Sequence, residues 1–206
     1  MHKIMVLGTG PGGEDYILPV VRKKAAQADV LVGGQRALTP FADLHKEVLP
    51  VTADLAGLAV SLRELAKTKN VAVLVSGDPG FHSLLAYLRR HFTADQLEVV
   101  PGVSSMQVAF ARLGIPWQEA KLLSAHGRDG EDLVPMLLAP GKKGILTDRK
   151  WTPGRLAKMI LQAGGQDQAV ALCRRLTTAE EDVVMTRLSI LDGTEEGDCV
   201  MVILDE

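Results

Sequence analysis

The sequence predicts an α/β protein of two domains, with a mainly parallel sheet in the first and a mixed sheet in the second. Three observations carry that prediction. Short apolar runs alternate with segments of helical spacing through the first half of the chain. The stretch Gly114-Ile115-Pro116-Trp117 then interrupts the rhythm, which restarts beyond it. Two apolar runs near the end, residues 183–187 and 199–204, look like a closing pair of strands. The expected domains are residues 1–114 and 118–206.

In chain order, residues 3–8 read as a strand, 20–28 as a helix and 30–32 as a short strand ending at Gly33-Gly34. Residues 55–65 place Leu55, Leu58, Leu62 and Leu65 on one helical face. Val71, Val73, Leu74 and Val75 read as a strand buried on both sides. Leu84, Leu85 and Leu88 continue as a helix. Residues 97–100 form a strand closed by Pro101-Gly102, and residues 103–113 a helix stopped by Gly114. In the second domain, strands are expected at 121–124, 144–147 and 169–173. Helices are expected at 133–138 and 156–161, with Pro153 near the first turn of the latter.

The chain is organised around Ser76-Gly77-Asp78-Pro79-Gly80-Phe81, where the buried strand breaks into a turn. Gly77 and Gly80 permit backbone angles that other residues resist, and Pro79 fixes its own φ. In open α/β sheets such a turn lies at the carboxyl edge, where ligands bind. The same pattern also serves an ordinary strand–turn–helix link.

Composition bounds the function. Apolar residues make up 47% and charged residues 23% of 206, ordinary for a soluble globular protein. A formal net charge of -2, with no basic run, argues against a nucleic-acid partner. No apolar run reaches the roughly eighteen residues of a membrane span, and no secretory leader is readable. Cys173 and Cys199 lie in separate apolar runs without metal-ligand spacing, so buried thiols, a cytoplasmic location and no metal site are expected.

Gly8-Thr9-Gly10-Pro11-Gly12-Gly13 satisfies the G-x-G-x-x-G pattern of dinucleotide folds. Two features oppose that reading. The next strand ends in Gly33-Gly34 rather than in an acidic residue that would hold a ribose. Pro11 removes a backbone donor where phosphate contacts would form. A tight turn without a ligand is the plainer alternative.

Taken together, the motifs resemble those of the tetrapyrrole methylase family, which uses S-adenosylmethionine. Gly8-Thr9-Gly10-Pro11-Gly12 is similar to its first motif and Ser76-Gly77-Asp78-Pro79-Gly80-Phe81 to its central one. Val100-Pro101-Gly102-Val103-Ser104-Ser105 is similar to its third. Gly33-Gly34-Gln35-Arg36, Met106-Gln107-Val108-Ala109, Ser124-Ala125-His126-Gly127-Arg128 and Leu146-Thr147-Asp148 narrow the resemblance. They are similar to the branch that methylates C5 of precorrin-7 or its cobalt form in cobalamin biosynthesis, in its stand-alone form. Ile17-Leu18 stands where the family often has Leu-Thr, so Leu18 is given no role.

The resemblance implies a two-domain tetrapyrrole methylase fold with S-adenosylmethionine as methyl donor. It implies donor contacts from Gly10, Pro11, Gly77, Asp78, Pro101, Ser104 and Ser105, and from Ser124, Thr147, Asp148 and the backbone of Leu172 at a strand end. Asp78 could cap the following helix or face the donor's positive charge, and the resemblance favours contact with or support of the donor pocket. A corrin-type ring fringed with carboxylates calls for guanidinium partners, for which Arg36 and Arg128 are the candidates, followed by Arg149, Lys150 and Arg174. His126 and Arg128 are the catalytic candidates: His126 lines the ring pocket and takes the proton lost after methylation, or else is a hydrogen-bonded structural residue. His82 is expected to pack on its helix. A homodimer is expected, with a separate decarboxylating C15-methyltransferase as partner. The competing readings are a related methyltransferase acting on another substrate and a non-catalytic nucleotide-binding module.

Overall fold

The computed structural model describes residues 2–195 and 197–205, and the chain divides into two compact units, Met1–Ser104 and Ser105–Glu206.

The first unit is a five-stranded parallel sheet in the order β3-β2-β4-β1-β5. Its strands are β1 (Ile4–Gly8), β2 (Val30–Gly33), β3 (Glu47–Pro50), β4 (Val71–Val75) and β5 (Leu97–Val100). Every residue of β1, β2 and β4 is buried, as their continuous apolar sequences require. Alternation sorts the side chains. Ile4 and Val6 join Leu58, Leu62, Leu88 and Phe92 on one face, and Met5 and Leu7 join Val21, Ala25 and Phe41 on the other. The helices are α1 (Pro19–Gln27), α2 (Gln35–Leu38), α3 (Leu55–Leu65) and α4 (Leu85–Leu88). Asp54 caps α3 by accepting from Gly57 N at 2.8 Å, and Leu58, Ala59 and Leu62 are its buried face. Each buried leucine contributes about 1.5–3 kcal/mol.

Neighbouring strands β1 and β4 lead to opposite edges: β1 continues to β2, and β4 to β5. That reversal is the topological switch point at which open α/β sheets bind ligands.

The second unit carries the mixed sheet β6-β7-β10-β8-β9. Its strands are β6 (Lys121–Ser124), β7 (Lys143–Leu146), β8 (Ala169–Arg174), β9 (Asp182–Arg187) and β10 (Cys199–Ile203). Only the β6–β7 pair is parallel. Helices α6 (Gly130–Leu138) and α7 (Pro153–Gln162) pack on one face through Leu133, Leu137, Leu156 and Ile160. Thr152 caps α7, accepting from Arg155 N at 3.3 Å. Both cysteines are buried, and burial pushes the Cys173 thiol up to about 12.

Three differences from the sequence reading have physical reasons. The units part at Ser104–Ser105 rather than near residue 114. The helix α5 (Ser105–Arg112) belongs to the second unit, where a Cβ at Gly144 would meet Phe110 Cε2 at 2.8 Å. The glycine makes room for that aromatic ring against β7. Helix α4 is only four residues long, because His82, with φ of 49°, cannot continue a right-handed helix. His82 is exposed and meets the edge of the Phe81 ring at 4.7 Å between centroids, instead of packing on a helix. Strand β3 was not predicted; it is a short, largely exposed edge strand without buried alternation.

Candidate active site

In the first unit the turns that follow β1, β4 and β5 are fastened to one another by backbone. Gly77 N donates to Gly10 O at 2.7 Å, and Gly10 N donates back to Gly77 O at 3.4 Å. Both glycines have positive φ, 79° at Gly10 and 68° at Gly77. Thr9 is buried and donates through N (2.9 Å) and Oγ1 (3.2 Å) to Val75 O. A Cβ at Gly102 would lie 2.7 Å from the carbonyl of Gly8. The three turns therefore meet backbone to backbone.

Asp78 joins two of them through its side chain. Oδ1 accepts from Gly80 N at 2.7 Å, and Oδ2 accepts from Gly102 N at 3.1 Å. Both carboxylate oxygens are held by amides, so Asp78 fixes the shape of the turns. Helix α4 begins too far along the chain for Asp78 to cap it. Pro11 is half-buried, Pro101 is exposed and Ser104 is buried beside Gly77. Ser105 opens α5 in the second unit.

In the second unit a different cluster forms from the segments after β6 and β7. The parallel register sets Ser124 opposite Leu146, and Ala125 N extends the ladder to Leu146 O at 2.9 Å. Two residues past each strand end, His126 and Asp148 meet. His126 Nδ1 lies 3.2 Å from Asp148 Oδ2, with the imidazole about half exposed (49%) and the carboxylate mostly covered (21%). Asp148 Oδ1 accepts from Lys150 N at 2.8 Å and Trp151 N at 2.6 Å. Buried Ser124 accepts from His126 N through Oγ at 3.2 Å. Trp151 Nε1 donates to Arg128 O at 3.0 Å, tying the two segments together a second time. Trp151 was not singled out from sequence; an aromatic after Thr147-Asp148-Arg149-Lys150 gives no local hint of so distant a partner.

Thr147 is buried, and its hydroxyl is engaged with backbone. It reaches Gly197 O and Cys199 O (3.0 Å for the latter) and accepts from Cys199 N at 3.1 Å. It thereby closes the end of the β7–β10 pair. Leu172 differs from the strand-end position given to it. It lies inside β8, paired with Met201 on one side and Val184 on the other, with its side chain in the core.

Among the described residues, the guanidinium groups of Arg128, half-buried, and Arg149, exposed, have no ion-pair partner. Lys150 Nζ is 3.8 Å from Asp129 and 5.2 Å from the Trp151 ring centroid. Arg174 is ion-paired with Asp182 at 3.0 Å. Arg36 lies exposed in α2 directly after β2. No group of three metal-ligating side chains occurs among the described residues, and no described helix is long and apolar enough to cross a membrane.

The family model for Tetrapyrrole (Corrin/Porphyrin) Methylases matches residues 3–192. The cobalt-precorrin-7 C(5)-methyltransferase of Salmonella typhimurium is 30% identical over 203 residues, which is 98% of this chain and 99% of that protein. Among solved structures, a cobalamin-biosynthesis precorrin-6Y methylase from Archaeoglobus fulgidus aligns with a TM-score of 0.77 and 22% identity, over 100% of this chain and 99% of that one. Uroporphyrin-III C-methyltransferase from Thermus thermophilus, solved with S-adenosyl homocysteine, aligns with a TM-score of 0.82 and 19% identity, covering 98% and 97%. With its three fastened glycine turns and a family match across nearly its whole length, the chain belongs to the tetrapyrrole (corrin/porphyrin) methylases.

Proposed function

We propose that the protein transfers a methyl group from S-adenosylmethionine to C5 of a corrin precursor, precorrin-7 or its cobalt form, in cobalamin biosynthesis. The observation that carries this is the end-to-end match to a relative of that name.

The first unit's turns suit the donor. Residues 8–16, 76–83 and 101–104 contain Glu14, Asp15 and Asp78 and no lysine or arginine, so they do not repel a sulfonium or an ammonium group. The close approach of Gly8 to Gly102 leaves backbone where side chains would crowd a ligand. Gly10, Pro11, Gly77, Pro101 and Ser104 would hold the donor, with Asp78 keeping the turns in register. When bound, the donor supplies an electrophilic methyl and a good leaving group. The protein's contribution is alignment and exclusion of water.

Arg128 and Arg149 suit the carboxylates of the ring, since neither guanidinium is spent on an ion pair among the described residues. Arg36 is a third candidate. The methylation at C15, with its decarboxylation, falls to a separate chain in this reading. Two buried cysteines in separate strands fit a reducing cytoplasm. A homodimer is the simplest closed assembly, to be read by light scattering.

The test is incubation with S-adenosylmethionine and either cobalt-precorrin-7 or precorrin-7, followed by mass spectrometry. Gain of one methyl group on the ring supports the assignment. Donor binding without transfer to either ring would point to another substrate.

A further inference from the structure

The second unit's sheet ends on β9, and among the described residues no strand pairs with its outer side. An exposed edge offers unpaired backbone groups to another strand, and proteins guard such edges with short length, lysine or proline. The sheet's other edge, β6, is guarded in this way: it is four residues long and opens on exposed Lys121. Strand β9 is six residues long, Asp182-Val183-Val184-Met185-Thr186-Arg187, with charge only at its two ends. Val184 and Met185 are 38% and 54% exposed, one on each face. We propose that β9 is a self-pairing edge, which binds β9 of a second copy of this chain in antiparallel fashion about a two-fold axis at Val184.

Side-chain chemistry selects that axis. Side chains alternate between faces, so a two-fold perpendicular to the sheet must set one residue opposite itself. With Val184 opposite itself, Val183 meets Met185 and Asp182 meets Thr186. Glu181, one residue before the strand, meets Arg187. Apolar then faces apolar, carboxylate faces hydroxyl and acid faces base, and each of these contacts occurs twice in an isologous pair. An axis at Val183 would set Asp182 against Val184, and one at Met185 would set Asp182 against Leu188. Within its own chain Glu181 is ion-paired with Arg112 of α5, and Arg187 with Asp167 at 3.0 Å. Pairing about Val184 joins these into one row of alternating charge: Arg112 and Glu181 of one copy, then Arg187 and Asp167 of the other. The proposal concerns the second unit alone and stands apart from the methyl-transfer reading.

The test is cross-linking and sedimentation of the full chain. Residues directly opposed in an antiparallel pair have Cα atoms about 4.5–5.5 Å apart, within the roughly 4.4–6.8 Å that a disulfide spans. Mild oxidation of Val184→Cys should therefore give a covalent dimer on a denaturing gel. Met185→Cys opposes residue 183 of the other copy and lies about 7–8 Å from its own counterpart across the diagonal. It should stay uncrosslinked alone and couple to Val183→Cys when the two variants are mixed. Wild-type protein, whose Cys173 and Cys199 are buried, gives the background. Sedimentation should show a wild-type dimer. Val184→Lys, which sets two ammonium groups against each other at an exposed position, should sediment as a monomer with wild-type circular dichroism. A monomeric wild type would overturn the inference. So would a dimer that Val184→Cys fails to cross-link, or one that Val184→Lys leaves intact, since either result places the contact on another surface.

Discussion

Asp78 Oδ2 accepts a hydrogen bond from the Gly102 amide at 3.1 Å, so a single carboxylate bridges the turn after β4 and the turn after β5. The other oxygen accepts from Gly80 N, within Asp78's own turn. Hydrogen bonds to a charged group contribute about 1.5–3 kcal/mol each, less where water reaches them. Asp78→Ala is therefore expected to lose about 2 kcal/mol of stability in urea titration, and donor affinity should weaken with it. Asp78→Asn keeps one acceptor and should lose less. An alanine variant as stable as wild type would show that the bridge does not hold the turns.

Gly102→Ala tests the backbone contact directly. The added methyl would lie 2.7 Å from the Gly8 carbonyl, an approach real side chains do not make. Overpacking of this kind costs about 1–3 kcal/mol. Gly34→Ala is the control, since nothing lies within 4 Å of its Cβ position. Thermal melts should separate the two variants, and equal melting temperatures would contradict the geometry.

Thr147→Val should act on stability rather than on the donor. The hydroxyl bonds to the backbone of residues 197 and 199, and removing it leaves buried groups without their partner. A loss of about 1–3 kcal/mol is expected in denaturant titration, with calorimetric donor affinity little changed. Large loss of affinity with unchanged stability would return Thr147 to the donor contacts.

Lys143, the first residue of β7, gives a pH signature of its own. Its side chain is buried, with Nζ donating to Gly141 O at 2.8 Å. Burial first, and the Lys121 charge second, lower its pKa below the usual lysine value. Between that lowered value and about 10.4, the unfolded chain binds a proton that the folded chain does not. Stability contributed by this site should therefore rise with pH across that window. Lys143→Met should flatten the rise and be at least as stable at neutral pH. Urea midpoints measured at neutral and alkaline pH decide it, and an unchanged slope in the variant would refute it.

The strands and the longer helices were legible where burial imposes a period. The bounds of α3, β4, β5 and β6 match their sequence patterns residue for residue. The edge strand β3 was not legible, because exposed residues carry no such period. For α4 the apolar spacing of Leu84, Leu85 and Leu88 pointed to a longer helix, and the left-handed backbone at His82 overrode it.

At the candidate site, local pattern located the turns but not their partners. Asp78 announces itself in Gly77-Asp78-Pro79-Gly80, yet its bond to Gly102 depends on β1 lying between β4 and β5. His126 and Asp148 stand far apart in sequence. Their meeting follows only once β6 and β7 are known to be parallel neighbours with Ser124 opposite Leu146. Thr147 was implied as a donor contact by resemblance alone, and its hydroxyl's bonds to the backbone of Cys199 depend on a strand pairing that no local pattern shows.

The most direct measurement is carbon-13 NMR of the corrin product formed from donor labelled in its methyl group. The account predicts one enriched methyl, bonded to C5, in product made by the wild-type protein. Enrichment at any other ring position, or no enrichment from either precorrin-7 or its cobalt form, would contradict it.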